Sequence, residues 1–168
     1  MMNASGLEIE RKFLIRYPDE KFLAGAYSAT EIVQTYLSAP KGVSERVRKR
    51  WDAEQCKYYH TEKTHITNMT RIEKEREIDE AEYLRLLARA DSERRPIEKK
   101  RYCIDYQGQS FEIDVYPFYT DRAIMEIELA SETQEVVFPP EAEIIREVTN
   151  DKRYTNASMA KKIPYDEI

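Results

Sequence analysis

A chain of 168 residues fits one domain, because two would each fall short of the ~100–150 residues common for domains. With 35% charged residues, a net charge of −5 and no apolar run long enough to span a bilayer, the composition argues against a membrane protein and against a basic nucleic-acid binder. The charge is uneven, however: basic residues cluster at Arg46 to Arg50 and at Lys99 to Arg101, which on an acidic chain suggests a compact anionic ligand. Glycine numbers only four and neither GxxxxGK[ST] nor GxGxxG occurs, so a bound phosphate must be held by side chains. Cys56 and Cys103 lack CxxC spacing and are expected to be structural bystanders. The opening Met-Met-Asn-Ala-Ser-Gly has neither the charged nor the apolar region of a signal peptide, so a cytoplasmic location is expected.

The first strand is predicted over 7–13. Successive side chains of a strand point to opposite faces, so Glu8, Glu10 and Lys12 share one face and Ile9 and Phe13 the other. Tyr17-Pro18-Asp19 reads as a turn into a short amphipathic helix with Phe22, Leu23, Ala26 and Tyr27 on one stripe. A strand over 32–38 separates Val33, Thr35 and Leu37 from Gln34, Tyr36 and Ser38, and Pro40-Lys41-Gly42 turns the chain. The strand over 44–51 aligns Arg46, Arg48 and Arg50; that over 55–64 aligns Tyr59, Thr61 and Lys63. Beyond a turn at Thr67-Asn68, the strand over 70–78 aligns Arg71, Glu73, Glu75 and Glu77. From Asp79, a predicted N-cap, the period lengthens, and Tyr83, Leu86, Leu87 and Ala90 form the apolar face of a helix.

After Asp91 to Arg95, read as a surface insertion, a strand puts Lys99 and Arg101 in phase, with Tyr102 and Ile104 opposite. Gln107-Gly108-Gln109 signals a hairpin. The strand over 110–116 sets Phe111, Ile113 and Val115 against Glu112 and Asp114; that over 123–130 sets Met125, Ile127 and Leu129 against Glu126 and Glu128. Pro139-Pro140 breaks the chain, 144–148 is a short strand or turn, and 155–162 a short terminal helix capped near Asn156.

Eight main strands with two intervening helices suggest a mainly β fold, an antiparallel barrel with helices covering its outside. For any single strand the ordinary arrangement turns the charged face to water, because buried charge is costly. Solvent faces usually mix Lys, Glu, Ser, Thr and Gln, whereas here Arg pairs, Glu pairs and a Lys-Arg pair recur at matched spacing. The amphipathic helices then cover outward apolar faces, and the charged faces line an interior of roughly single-ligand width. Basic groups clamping a polyanion, with carboxylates holding divalent cations that also touch it, would neutralise such a lining. Arg offers forked donors to phosphate, and Mg²⁺ or Mn²⁺ prefers oxygen ligands.

These residues resemble the CYTH superfamily, the triphosphate tunnel metalloenzymes, in particular its short bacterial inorganic triphosphatases. Glu8-Ile9-Glu10-Arg11-Lys12 is similar to its ExExK signature, Gln34-Thr35-Tyr36-Leu37 to its QGYL strand, Arg46-Val47-Arg48 to its RxR strand, and Thr61-Glu62-Lys63-Thr64 to its TLKS strand. Glu73-Lys74-Glu75, Glu98 to Tyr102, Phe111 to Val115, Glu126-Ile127-Glu128 and Glu147 to Tyr154 follow in family order. Glu62 stands where a Leu is usual; out of phase with Lys63, it should face outward.

The resemblance implies one tunnel domain spanning 1–168 in which a triphosphate is hydrolysed, most simply tripolyphosphate to pyrophosphate and phosphate. It implies metal binding by Glu8, Glu10, Asp114, Glu126 and Glu128, and phosphate binding by Lys12, Arg46, Arg48, Lys63, Lys99 and Arg101. Lys12 and Tyr36 would form a dyad that activates water; Glu73 and Glu75 could bind metal, position water or anchor the arginines. The cofactor would be Mg²⁺ or Mn²⁺ and the partner a small-molecule triphosphate, with no nucleic acid and no membrane, in a monomer or homodimer. A class IV-type adenylyl cyclase and a nucleoside or thiamine triphosphatase share the tunnel and stay open, as does a polyphosphate-binding module without turnover.

Overall fold

The computed structural model describes residues 6–168; the first five residues, which carry most of the N-terminal lead, lie outside the described residues. The described residues form nine strands: β1 (Leu7–Arg16), β2 (Ser28–Leu37), β3 (Val43–Trp51), β4 (Cys56–His65), β5 (Thr70–Ile78), β6 (Ile97–Tyr106), β7 (Gln109–Val115), β8 (Arg122–Glu128) and β9 (Ile144–Glu147). Short helices α1 (Glu20–Ala24), α2 (Glu80–Leu86) and α3 (Asn156–Met159) join them. The antiparallel order β5-β4-β3-β2-β6-β7-β8-β1 closes on itself where Leu7, Glu8 and Ile9 pair with Ile72, Arg71 and Thr70. Closure removes the exposed edge an open sheet would present. Beyond the reach of β5, the second half of β1 is covered by β9, Phe13 standing opposite Glu147. The β6–β7 turn has positive φ at both Gln107 (48°) and Gly108 (75°), the backbone that a two-residue hairpin needs to follow strand twist.

The apolar strand faces point outward, as the alternation requires, but what covers them differs in part from expectation. Leu37, Val47 and Ile78 pack under Tyr83, Leu86 and Leu87 of α2 and its extension. The larger face, with Phe13, Ile15, Phe111, Ile113, Met125 and Ile127, is covered only in part by Phe22 and Leu23 of α1. The connection after β8 supplies the rest through Val136, Phe138 and Ala142, and the Phe138 ring meets Phe13 edge-on with centroids 4.9 Å apart. Helix α1 stops at Ala24, since Gly25 caps it and β2 begins three residues later. Tyr27 is therefore off the helix and exposed, its hydroxyl 2.7 Å from Ser110 Oγ.

Inside the barrel the lining changes character along each strand. Leu14 follows Glu10 and Lys12 on the inward face of β1, Ile124 precedes Glu126 and Glu128 on β8, and Ile97 precedes Lys99 and Arg101 on β6. Tyr116 follows Glu112 and Asp114 at the end of β7. These apolar positions gather at one end with Tyr36 and are closed by Val148, Tyr154, Met159 and Ala160 from the C-terminal segment. That segment is fastened to β1 by Val148 N donating to Lys12 O (2.8 Å) and Lys12 N donating to Thr149 Oγ1 (3.0 Å).

The stretch from Asp91 to Arg95 is a latch for this plug, not a free surface insertion. Arg94 Nε donates to Ala157 O (3.0 Å) and Arg95 N to Ala160 O (2.9 Å). The N-cap of α3 is Thr155, whose Oγ1 accepts from Ser158 N, so the cap falls one residue before the expected Asn156. Among the described residues no helix is long and apolar enough to cross a membrane.

Candidate active site

A cavity of about 270 Å³ occupies the charged half of the barrel. Its wall contains Glu8, Glu10 and Lys12 from β1, Tyr36 from β2, Arg46 and Arg48 from β3, and Lys63 from β4. Glu73 and Glu75 come from β5, Lys99 and Arg101 from β6, and Glu126 and Glu128 from β8. Seven strands thus supply every residue expected at the site except one. A wider cleft of about 990 Å³ adjoins this cavity, between the plug and the β2–β3 and β4–β5 turns, and shares Glu10, Lys12 and Tyr36 with it.

The exception is Asp114. It is fully buried and outside the cavity wall, gripped by Arg101 through two bonds (Nε–Oδ1 2.7 Å, Nη2–Oδ2 2.9 Å) and by Lys99 Nζ at 2.7 Å. Burial alone would favour the neutral acid, but the two cations overcome it and hold Asp114 well below the usual carboxylate range. A metal ion would have to displace both cations to reach it. As it stands, this carboxylate aims Lys99 and Arg101.

The remaining charges are arranged as cross-strand pairs. Lys63 Nζ lies 3.1 Å from Glu8 Oε1 and 3.7 Å from Glu73 Oε2; Arg71 Nη2 lies 3.2 Å from Glu10 Oε1; and Arg48 Nη2 lies 2.7 Å from Glu75 Oε1. Glu126 faces Lys12 at 3.4 Å and Arg101 at 3.8 Å, and Arg101 also contacts Glu112. Glu73 and Glu75 are thus each paired with a cation. For Glu8 and Glu75 burial opposes ionisation, but Lys63 and Arg48 respectively outweigh it, and both pKa values end below the usual range. Burial and the neighbouring Arg46 push Arg48 down to about 10, which still leaves it charged at neutral pH. Lys63 is lowered by burial and by Arg46.

Arg46 itself stands apart. Only 9% exposed, it has no carboxylate partner among the described residues, and its Nε has no hydrogen-bond partner there. A buried guanidinium without an acceptor is costly to the fold. The Nε atoms of the neighbouring Arg48 and Arg71 likewise lack an acceptor among the described residues, and a polyanion would supply one.

The carboxylates satisfy a different condition. Glu10 stands directly opposite Glu128 in the β1–β8 register, and Glu112 opposite Glu126 in the β7–β8 register. Like charges set directly opposite destabilise a sheet unless cations lie between them. Among the described residues no three acidic, His or Cys side chains converge on one point as they stand, because Glu8 and Glu10 are turned toward Lys63 and Arg71. The donor set of Glu8, Glu10, Glu126 and Glu128 is all oxygen, which fits a hard divalent cation once phosphate has drawn those basic groups away.

Lys12 and Tyr36 both line the cavity, each held by other groups. Lys12 Nζ donates to Tyr154 O (3.3 Å), and the Tyr36 hydroxyl accepts from Gln34 Nε2 (2.8 Å). Sequence reasoning missed Arg71, although it lies in phase with Glu73 and Glu75, and also Arg50, His65 and Glu112 on the same inward faces. Burial and the charges of Arg71, Lys63 and Lys152 lower the His65 pKa, which keeps this imidazole neutral. Thr155, Asn156 and Ala157 of the plug also reach the wall, with no strand period to announce them.

A closed antiparallel barrel with facing cations and carboxylates inside defines a tunnel enzyme acting on compact polyanions. The inorganic triphosphatase of Nitrosomonas europaea is 33% identical over 160 residues, covering 94% of this chain and 99% of the relative. That of Acetivibrio thermocellus is 35% identical over 161 residues, covering 95% and 96%. The crystal structure of the inorganic triphosphatase NE1496 superposes with a TM-score of 0.60 at 33% identity, covering 94% of this chain and 97% of that one. No family model matches the chain. The chain belongs to the inorganic triphosphatase family, the triphosphate tunnel enzymes whose motifs its strands carry.

Proposed function

We propose that this chain, acting as one domain, binds inorganic tripolyphosphate in the 270 Å³ cavity and hydrolyses it to pyrophosphate and orthophosphate with Mg²⁺ or Mn²⁺. The observation that carries the reading is the buried, carboxylate-free guanidinium of Arg46 among Arg48, Lys63 and Arg71, facing a wall of carboxylates. Phosphate oxygens would take up Arg46, Arg48, Lys12, Lys63 and Arg71, the last two releasing Glu8 and Glu10, which with Glu126 and Glu128 would hold the cation. When bound, that cation would neutralise phosphoryl charge and orient water. Lys99 and Arg101, aimed by Asp114, would hold the far side of the polyphosphate. Water attacks a terminal phosphorus, a new P–O bond forms as the bridging P–O bond breaks, pyrophosphate leaves, and the water proton passes to a nearby base.

Lys12 and Tyr36 are the proposed pair for that proton. Lys12→Met and Tyr36→Phe test them separately: a fall in kcat at unchanged KM supports a part in the chemistry, whereas a rise in KM alone makes them phosphate ligands. The enzyme would work in the cytoplasm on a free small molecule, with no call on nucleic acid or membrane.

The adjoining cleft could house an organic group, so substrates should be compared side by side. Phosphate release from tripolyphosphate, ATP and thiamine triphosphate would be followed with Mg²⁺ or Mn²⁺ and with EDTA. Metal-dependent turnover favouring tripolyphosphate, reduced on the order of 10²–10³-fold in Glu10→Gln, is expected. Cyclic AMP from ATP would indicate a cyclase, and tight binding without turnover a binding module.

A further inference from the structure

The plug does more than close the barrel. Residues Thr155, Asn156 and Ala157 reach the cavity wall from a segment more than a hundred residues away in sequence from β1 and β3. Thr155 Oγ1 is committed to capping Ser158 N, and Ala157 offers only its methyl group as a side chain, so Asn156 is the one functional side chain this segment presents. Its Oδ1 accepts a hydrogen bond of 2.7 Å from the hydroxyl of Tyr116, a residue only 1% exposed. Burial, with Asp114 and Glu126 nearby, pushes the Tyr116 pKa well above its ordinary value, so this hydroxyl keeps the proton that it donates here. With Oδ1 turned to the buried tyrosine, Nδ2 is the polar group that Asn156 has left for the cavity it lines. No acceptor for Nδ2 is found among the described residues.

We propose that Asn156 is a further substrate-binding residue, its Nδ2 donating to an oxygen of the polyphosphate at the closed end, and that Tyr116 is a positioning residue acting through it. The inference rests on the triphosphate reading of this cavity. A neutral donor suits the place. Lys99 lies beneath it, 6.0 Å from the Tyr116 ring centroid, and Lys12 donates to the carbonyl of Tyr154 two residues earlier, so a further cation would add repulsion. Because Asn156 rides on the plug, a seated plug and a filled cavity reinforce each other: the ligand gains a donor only when the segment is closed.

The test is calorimetric titration of tripolyphosphate in EDTA, so that affinity is read apart from turnover. Native protein, Asn156→Ala, Asn156→Asp, Tyr116→Phe and the Tyr116→Phe/Asn156→Ala double variant would be compared. Loss of a hydrogen bond to a charged group predicts at least about tenfold weaker binding in Asn156→Ala. Asn156→Asp should be weaker still: it is isosteric and still accepts from Tyr116, but turns a carboxylate toward phosphate, which keeps the test independent of folding. Tyr116→Phe should weaken binding, and the double variant should bind no more weakly than Asn156→Ala alone. Native affinity in both Asn156 variants, with the native protein binding well, would overturn the role of Asn156 and leave the triphosphate reading standing. Failure of the native protein to bind or cleave tripolyphosphate would overturn both.

Discussion

The two halves of the barrel interior are built on the same strands and differ in what holds them together. At one end Leu14, Ile97, Tyr116 and Ile124 meet the plug in an apolar floor whose stability needs nothing but contact. A few residues further along the same strands, Lys12, Lys99, Asp114 and Glu126 sit at comparable burial in a lattice of opposed charges. Strand geometry is indifferent to this change, for inward positions recur every second residue in both halves. The difference lies in self-sufficiency. The floor is complete, whereas the charged half leaves Arg46 without a partner among the described residues and sets Glu10 opposite Glu128. One half serves the fold and the other is arranged for something the chain does not contain.

Substitutions can break that contrast. The largest effect is expected at Asp114→Asn, which would leave Lys99 and Arg101 buried without their shared counter-charge. A loss of about 3–5 kcal/mol in urea unfolding is predicted, and a loss below 1 kcal/mol would show that the charged half does not depend on this pair. Leu14→Ala in the floor should cost about 2–5 kcal/mol through lost contact and a cavity. Its effect on tripolyphosphate KM should be smaller than that of any cavity-wall substitution; a reversal of that ranking would mean the halves are not separable.

Acid should distinguish them without mutation. Glu8, Glu75 and Asp114 have folded-state pKa values below their unfolded values, so their stabilisation is complete above the unfolded carboxylate range of about 4 and is lost as pH falls through the folded values. Unfolding midpoints measured from pH 7 to pH 3 should drop at the acid end, less steeply in Asp114→Asn; a flat profile would refute the assignment of these pairs.

Much of the charged half was legible in the sequence, because a strand writes its inward face into every second residue. Glu8, Glu10, Lys12, Arg46, Arg48, Lys63, Lys99, Arg101, Glu126 and Glu128 reach one cavity for that reason. Alternation cannot tell a carboxylate open to the cavity from one already capped by cations, as Asp114 is by Lys99 and Arg101. Arg71 carried the same signal as Glu73 but was not assigned to the site. The floor and the plug left no local trace: Val148, Tyr154 and Asn156 acquire their neighbours only through tertiary closure onto β1 and β7. The covering of β7 and β8 by Phe138 was hidden for the same reason, since that residue lies in a connection without period.

The most direct measurement concerns Arg46, the residue for which the charged half has no internal use. Tripolyphosphate binding to native protein and to Arg46→Met would be titrated in EDTA, alongside thermal melting of both. Binding about 10–100-fold weaker in the variant, with a melting temperature equal to or above that of the native protein, is predicted, because the substitution removes a phosphate ligand and a buried unpaired charge together. Native affinity in Arg46→Met, or a marked loss of stability, would show that Arg46 serves the fold and would contradict the claim that this half of the barrel is built for a polyphosphate.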